Sequence, residues 1–315
     1  MPAAPRLRHR LTLAVLLVPP LAWLIIAYLG SLAVLMVSAF WSRSSFTGAV
    51  VRTFTTDNLL RVVTEEVFRT TTLRTVGVAL AVTVLCAVLA VPLALYMAKV
   101  ASPAVRVALV VAVTTPLWAS YLVKAYAWRM LLSPEGPLHW ATGFSPGYGL
   151  TATVITLTYL WLPYMVIPVF AAFQRVPDAL VDASSDLGAK DLTTLRLVVA
   201  PMVFPGVAAG SIFTFSLSLG DYIAVTIVGG KTQLLGNVIY GQLVTANNQP
   251  MAAALSLIPL AAILLYLFAM RRMGAHGLSD ARAAHAMMTA FGGGFRRPLT
   301  LMRGLMADLA AHSSV

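Results

Sequence analysis

The chain has 315 residues, of which 59% are hydrophobic and 10% charged. A soluble domain carries about 25% charged residues, so this composition excludes an ordinary soluble globular protein. The net charge of +11 does not indicate nucleic-acid binding, because no basic patch is interleaved with stacking aromatic residues. In a membrane protein, such charges mark loops and contacts with lipid headgroups.

Six stretches of the chain lack Asp, Glu, Lys and Arg and show no polar face at helical period. A helix needs about 20 apolar residues to cross a hydrocarbon core about 30 Å thick. The sequence therefore predicts an all-α membrane protein in the lipid bilayer, with a transmembrane domain at 11–270. The six predicted spans are about 13–38, 75–98, 107–130, 150–173, 198–219 and 251–270.

The segments that flank this domain are polar. Residues 1–10 are basic, and the apolar run after them is too long for a signal peptide, so it is interpreted as a retained helix. The larger share of the 22 Lys and Arg residues lies on the N-terminal side of the predicted membrane, although the basic loop 41–73 argues against this. The bias predicts both termini in the cytoplasm. Residues 271–315 are expected to form a flexible cytoplasmic tail, in which 299–310 is either an interfacial amphipathic helix or disordered.

The sequence offers no residues for catalysis. The single Cys86 lies within the second predicted span, where it is expected to pack, and the five histidines are scattered without metal-ligand spacing. Gly230-Lys231-Thr232 is similar to the end of a phosphate-binding loop, but Val225 stands where that motif needs a glycine. We therefore expect no enzyme activity, metal or cofactor in this chain.

The polar segment between the fourth and fifth predicted spans has the clearest local signals. Pro177 and Asp178 favour the start of a helix, and Gly188 favours its end. Asp191 is then expected to cap the helix that enters the fifth span.

This short helix has two distinct sides by helical spacing. The acidic edge consists of Asp178, Asp182 and Asp186, and like charges at this spacing cost a few tenths of a kcal/mol per pair. The opposite face is weakly apolar, with Leu180, Ala183, Ser184 and Leu187. Such a helix suits docking into a groove of a partner, and the alternative is a solvated helix between two spans.

The segment 176–201 resembles the EAA loop of ABC-importer permeases. That pattern runs Glu-Ala-Ala, three residues, Gly, nine residues, Ile, one residue, Leu-Pro. Asp182-Ala183-Ser184, Gly188, Val198 and Pro201 keep its spacing, although Asp, Ser and Val replace Glu, Ala and Ile, and Ala200 replaces Leu.

The resemblance implies the ABC type I importer permease fold, with a cytoplasmic coupling helix between the fourth and fifth spans. It implies a bacterial plasma-membrane location, a cytoplasmic ATP-binding subunit dimer that holds ATP and Mg, a second permease subunit and an extracytoplasmic substrate-binding protein. The residues that it assigns to ATPase coupling are Asp178, Asp182, Ala183, Ser184, Asp186, Leu187, Gly188 and Pro201.

A second pattern concerns the cargo. Residues 218–230 and 235–239 resemble the spermidine/putrescine permeases, as does a loop with Trp128, Gly136 and Pro137. This resemblance implies polyamine transport, and permeases for iron, thiosulfate or similar solutes remain alternatives. The docking helix and the scarcity of charge within the spans speak against a stand-alone secondary carrier. The coupling-loop match speaks against a membrane scaffold without transport.

Asp221 is the candidate acid of the substrate path. It is the only acid between Asp191 and Asp280, and an ionisable group beside a membrane helix is a functional candidate. It could attract a cationic amine, with Tyr222 and Trp128 offering cation–π faces. The alternatives are that Asp221 caps the next helical turn or pairs with Lys231.

The fifth predicted span contains a Gly-x-x-x-Gly spacing at Gly206 and Gly210. Small residues at this spacing let a second helix approach closely. The pair serves either contact with a second permease subunit or packing within the chain.

Overall fold

The computed structural model of the chain describes residues 15–44 and 46–273. The predicted basic segment 1–10 and the predicted helix at 299–310 lie outside the described residues. Within the described part, the secondary structure is helical apart from one short hairpin.

The helices follow one another with short connections. In chain order they are α1 (Val15–Ser38), α2 (Asp57–Thr64), α3 (Glu66–Val100), α4 (Pro103–Trp118), α5 (Tyr121–Leu131), α6 (Pro137–Thr142), α7 (Leu150–Gln174), α8 (Asp178–Asp186), α9 (Asp191–Gly220), α10 (Ile223–Val228), α11 (Leu235–Tyr240) and α12 (Gln249–Met273).

Five of the described helices, α1, α3, α7, α9 and α12, are long and apolar enough to cross a membrane. The pair α4 and α5 would make a sixth span, although its halves are bent by 101°. The predicted class, an all-α membrane protein with about six spans, is confirmed.

The third predicted span is not one continuous helix. Ser120 has the extended angles φ −55° and ψ 135°, which interrupt the helical hydrogen bonds between α4 and α5. Pro116 lies in the last turn of α4 and has no N–H to donate. A proline and one extended residue therefore separate the two halves that the apolar pattern joins.

The predicted polar loop 41–73 is ordered into two elements. Strands β1 (Ser42–Arg43) and β2 (Val50–Val51) pair antiparallel, and Gly48, with φ +67°, makes the turn between them. After the hairpin, Asn58 in α2 donates hydrogen bonds to the carbonyls of Ala39 and Trp41, at 3.1 and 2.7 Å. These bonds fix α2 to the end of α1.

The chain forms two compact units. Of the described residues, the first unit comprises 15–44, 46–82, 119–160 and 215–264, and the second comprises 83–118, 161–214 and 265–273. The first unit contains two buried apolar clusters, one around Phe68, Leu235, Met251 and Leu255 and the other around Ala125, Leu132, Ala152 and Val228.

In the second unit, α7 and α9 pack closely at the two glycines of α9. A Cβ on Gly206 would lie 2.5 Å from the Cβ of Ala172, and one on Gly210 would lie 2.6 Å from the Sδ of Met165. Of the two uses expected for this spacing, the structure shows packing within the chain. Cys86 in α3 is fully buried, as expected of a packing residue.

Candidate coupling and substrate-path sites

Helix α8 is the predicted short helix of the polar segment, and its ends have defined geometry. Pro177, in an extended conformation, precedes the helix, and Asp178 lies in its first turn. At the other end, the N–H of Gly188 donates to Ser185 O at 2.8 Å and the N–H of Ala189 to Ser184 O at 3.1 Å. This pair of bonds is a Schellman motif, which needs a left-handed residue, and Gly188 supplies it with φ +78°.

The two sides of α8 have different surroundings. Ala183 and Ser184 are half-buried, and the Ser184 and Thr194 hydroxyls are hydrogen-bonded at 2.7 Å. The three acids of the acidic edge are exposed, and Leu187 beyond the helix is 89% exposed. Asp182, Asp186 and the following Leu187 are thus exposed, whereas the small-residue face, which we expected to dock, is turned towards α9 through Ser184.

The entry into the fifth span differs from the prediction at one residue. Lys190, not Asp191, is the capping position, and Asp191 is the first residue of α9 without a side-chain capping bond. Val198 lies in a π-helical turn, Leu195–Val199, and Pro201 follows within α9. The end of the EAA-like pattern is therefore part of the membrane helix.

Sequence reasoning missed the cation that binds the start of the coupling segment. The ammonium of Lys99, at the end of α3, lies 2.6 Å from a carboxylate oxygen of Asp178 and donates to Val176 O at 2.7 Å. These contacts join residues that are 79 and 77 positions apart, so no local pattern signals them.

Asp221 follows the last residue of α9 and is buried, with 8% of its surface exposed. One carboxylate oxygen accepts the N–H of Ala224 at 3.0 Å, and the other accepts the hydroxyl of Tyr121. Burial raises the pKa of the Asp221 carboxyl above its ordinary value, and these hydrogen bonds oppose the shift. Among the described residues, Tyr121 and the start of α10 bind this carboxylate in place of Lys231, so Asp221 caps the next helical turn.

The two aromatic candidates pack against different partners. Tyr222 stacks on Tyr240, with ring centroids 4.8 Å apart and planes 16° from parallel. Trp128 lies within α5, not in the predicted loop, and its ring is 5.2 Å from that of Tyr159. Tyr222 and Tyr240 therefore form an aromatic face next to Asp221, while Trp128 belongs to the packing of α5.

The segment after Asp221 is held by polar contacts that the sequence did not reveal. The amide of Asn237 donates to Tyr222 O at 3.0 Å and to the Thr226 hydroxyl at 2.8 Å. Arg129 donates to Ile227 O, and its guanidinium lies 4.6 Å from the ring centre of Tyr148. Side-chain hydrogen bonds therefore hold the segment between α9 and α11 in a defined conformation.

The described residues contain no group of three or more His, Cys, Asp and Glu side chains that could hold a metal ion. Around Asp221 the described residues place one buried carboxylate, which caps the N–H of Ala224, and the stacked rings of Tyr240 and of the residue that follows Asp221, Tyr222.

The long apolar helices define a polytopic membrane protein, in which the short, glycine-terminated α8 lies between α7 and α9. Comparison with known proteins specifies the class. Residues 90–275 match the family described as "Binding-protein-dependent transport system inner membrane component". Because this match covers more than half of the chain, the chain belongs to that family, the permeases of binding-protein-dependent ABC importers.

Relatives of known name agree with this assignment. The chain is 41% identical over 284 residues to the inner membrane ABC transporter permease protein YdcU of Escherichia coli K12, covering 84% of this chain and 90% of YdcU. It is 30% identical over 213 residues to the spermidine/putrescine transport system permease protein PotB of the same organism, covering 65% and 77%. The ABC permease resemblance found in the sequence is confirmed.

Solved structures share the fold. A chain of a bacterial ABC transporter involved in the import of the acidic polysaccharide alginate superposes with a TM-score of 0.62, covering 85% of this chain and 96% of that one. At 17% sequence identity the likeness concerns the fold alone. It confirms the predicted fold class of ABC importer permeases.

Proposed function

We propose that this permease converts ATP hydrolysis by a separate cytoplasmic subunit into alternating access for a small cationic solute, with polyamines as the cargo. The observation that carries the coupling part is α8. It is a short helix on which Asp182 and Asp186 are exposed, as is Leu187 just after it, and which is bound to its own chain through Ser184 and through the otherwise exposed Asp178. A helix fixed on one side and open on the other suits contact with a moving partner.

The contact between Lys99 and Asp178 also supports the proposed orientation, in which α8 faces the cytoplasm. The segments before α4 and after α7 meet at Lys99 and Asp178, as they must if α4 with α5 forms one span and α7 the next. The basic residues of these segments favour the cytoplasm. In the proposed arrangement both termini are also cytoplasmic, in a bacterial inner membrane, and an ATP-binding dimer contacts α8.

The other proposed partners are a second permease subunit in the membrane and an extracytoplasmic binding protein. Helix α1 supports the first of these, because only 6% of its most apolar window is buried within the chain and the rest is available to lipid or another subunit. The residues proposed to take part in ATPase coupling are those that the EAA resemblance assigns, and Asp182 and Leu187 are among the exposed ones.

The polyamine proposal is supported by the identity to a spermidine/putrescine permease and by the acid and rings after α9. Among the described residues, the donors that bind the Asp221 carboxylate are neutral, and the next residue, Tyr222, stacks on Tyr240. An amine that enters this region would find a carboxylate and an aromatic face, which together attract organic cations.

Uptake of radiolabelled spermidine into proteoliposomes tests this function, with the complete transporter reconstituted and ATP enclosed. Wild-type uptake should need ATP, and Asp221→Asn should lower it about tenfold at limiting spermidine, equivalent to about 1.4 kcal/mol. Asparagine is also a good helix cap, so this change removes the charge and keeps α10.

The matched control is Asp57→Asn, the same change at an exposed acid that begins α2, which should leave uptake unchanged. Undiminished uptake in Asp221→Asn would refute the role of Asp221. Wild-type vesicles that hydrolyse ATP with the binding protein present but never accumulate spermidine would refute polyamines as the cargo.

A further inference from the structure

Lys99 connects the coupling segment to a helix that is not its neighbour in the chain. α8 follows α7 and precedes α9, so the covalent chain passes any movement of α8 to those two helices. Lys99 belongs to the last turn of α3 and contacts the residues on either side of Pro177. We propose that Lys99 is a positioning residue that fastens the start of α8 to α3, so that α3 moves with the coupling helix. This inference rests on the proposed coupling function.

The contact with Val176 is chemically specific. Val176 is 2% exposed, and its carbonyl lies between the end of α7 and Pro177. A buried carbonyl without a donor is destabilising, and the Lys99 ammonium supplies the donor at 2.7 Å. The carbonyl therefore holds the ammonium at this position.

The ion pair with Asp178 adds to this contact. The side chain of Asp178 is 83% exposed and that of Lys99 24%, and an exposed ion pair by itself contributes little to stability. The buried carbonyl thus fixes the lysine, and the carboxylate ties the first turn of α8 to it. One ammonium joins the connection before α8 and the helix itself.

The backbone around Lys99 is also held in place. It lies in the π-helical turn Tyr96–Val100, and the guanidinium of Arg106 donates to Met97 O at 2.8 Å and to Ala98 O at 3.1 Å. These bonds bind the carbonyls next to Lys99 at the end of α3, where helical donors run out. The lysine therefore projects from a fixed part of the backbone.

A second contact fastens α8 at its other end. The Ser184 and Thr194 hydroxyls bond at 2.7 Å and tie the last turn of α8 to α9. With Lys99 at the start, α8 is held at two points, to α3 and to α9, and its acidic edge remains exposed. Movement imposed on that edge is then transmitted to three long helices, α3, α7 and α9.

The test measures spermidine uptake and ATP hydrolysis in the same proteoliposomes, with the complete transporter and its loaded binding protein. Lys99→Met should lower the uptake per ATP hydrolysed at least about fivefold, the lower end of typical coupling effects, while the ATP-binding subunit still co-purifies. Lys99→Arg keeps the charge and the donors and should retain most of the coupling. Lys231→Met, the same change at an exposed lysine outside these contacts, should match the wild type.

Asp178→Asn provides a second variant that leaves the carbonyl contact in place. The effect of Asp178→Asn should be smaller than that of Lys99→Met. It should not add to that effect in the double variant, because both substitutions remove the same ion pair. Uptake per ATP within twofold of wild type in Lys99→Met, or additive effects in the double variant, would overturn the proposal. Loss of the ATP-binding subunit from Lys99→Met would also overturn it, since Lys99 would then act in docking.

The readouts separate the two proposals. If the wild-type complex lacks an ATP-binding subunit or does not hydrolyse ATP, the proposed coupling function fails. If the wild-type complex is coupled and Lys99→Met is coupled equally well, only the role of Lys99 fails.

Discussion

Gly188 ends α8 in the left-handed region, with φ +78°, and no atom lies within 4 Å of the position where a Cβ would be. Space is therefore not the constraint at this residue. An L-residue in this conformation costs roughly 1–2 kcal/mol, and asparagine tolerates it better than other residues do. The conformation, and not the size of the side chain, makes glycine suitable here.

Gly188→Val and Gly188→Asn distinguish these two effects. We expect Gly188→Val to shift the end of α8 and to abolish ATP-driven uptake, because a β-branched residue does not accept φ near +78°. Gly188→Asn should retain uptake, although it also adds a side chain at this position. Uptake and co-purification of the ATP-binding subunit measure the outcome, and equal loss in both variants would show that bulk is the cause.

Asp221 shows how a single residue can satisfy a structural role and remain a candidate for function. Its carboxylate caps α10 and binds Tyr121, which is the capping alternative expected from the sequence. The contact with Tyr121, the first residue of α5, could not be predicted because Tyr121 and Asp221 are 100 positions apart. Among the described residues the donors to this carboxylate are neutral, and its contact with a cationic substrate stays a prediction.

At the scale of the elements, α7 and α9 depend on the absence of side chains at two positions. A Cβ on Gly206 would approach the Cβ of Ala172 to 2.5 Å and the carbonyl oxygen of Pro168 to 2.7 Å. Such distances force the helices apart, because the nearest atoms include backbone. The glycine spacing in the sequence indicated a close helix contact, and the structure identifies the partner helix.

Gly206→Ala should therefore destabilise the protein, by about 1–3 kcal/mol as in other overpacked cores. The matched control is Gly77→Ala in α3, where no atom lies within 4 Å of the added Cβ and the helix should gain about 0.5–1 kcal/mol. Thermal unfolding in detergent should show a lower Tm for the first variant and an equal or higher Tm for the second. The reverse order would contradict the packing described for α7 and α9.

The predictability of the elements follows from how local their signals are. The apolar runs indicated the long helices, and Pro177, Asp178 and Gly188 indicated both ends of α8, because each signal lies within a few residues of its effect. The hairpin β1–β2 was missed because its strands have two residues each, too few to show a period. Helix α2 was missed although Leu59, Leu60, Val62 and Val63 are spaced as on one helical face. The break at Ser120 was missed because 107–123 contains no charged residue, although Pro116 was a local signal.

The contacts between elements were the least predictable part of the site. Lys99 binds Asp178 across 79 positions, and Arg129 binds Ile227 O across 98. The sequence shows charged residues at the ends of spans but does not show which ends meet. The EAA spacing compensated in part, because a resemblance to a known family transfers a tertiary arrangement together with a motif.

For the whole molecule, the central claim is that α8 carries the contact with an ATP-binding subunit. The exposed side of the segment ends at Leu187, which is 89% exposed although it is apolar. An isolated apolar residue on a surface is common, but Leu187 directly follows the exposed Asp186 at the end of a helix that is bound to its own chain at both ends. Leu187 is therefore the proposed centre of the contact.

Cysteine cross-linking tests this claim most directly, because Cys86 is fully buried and should give little background. Leu187→Cys should cross-link to the ATP-binding subunit of the assembled transporter, and the yield should change when ATP is added. Phe46→Cys, 98% exposed in the β1–β2 hairpin, should give no such product. A transporter that is active and complete but yields no cross-link from Leu187→Cys, or yields one from Phe46→Cys, would contradict the account.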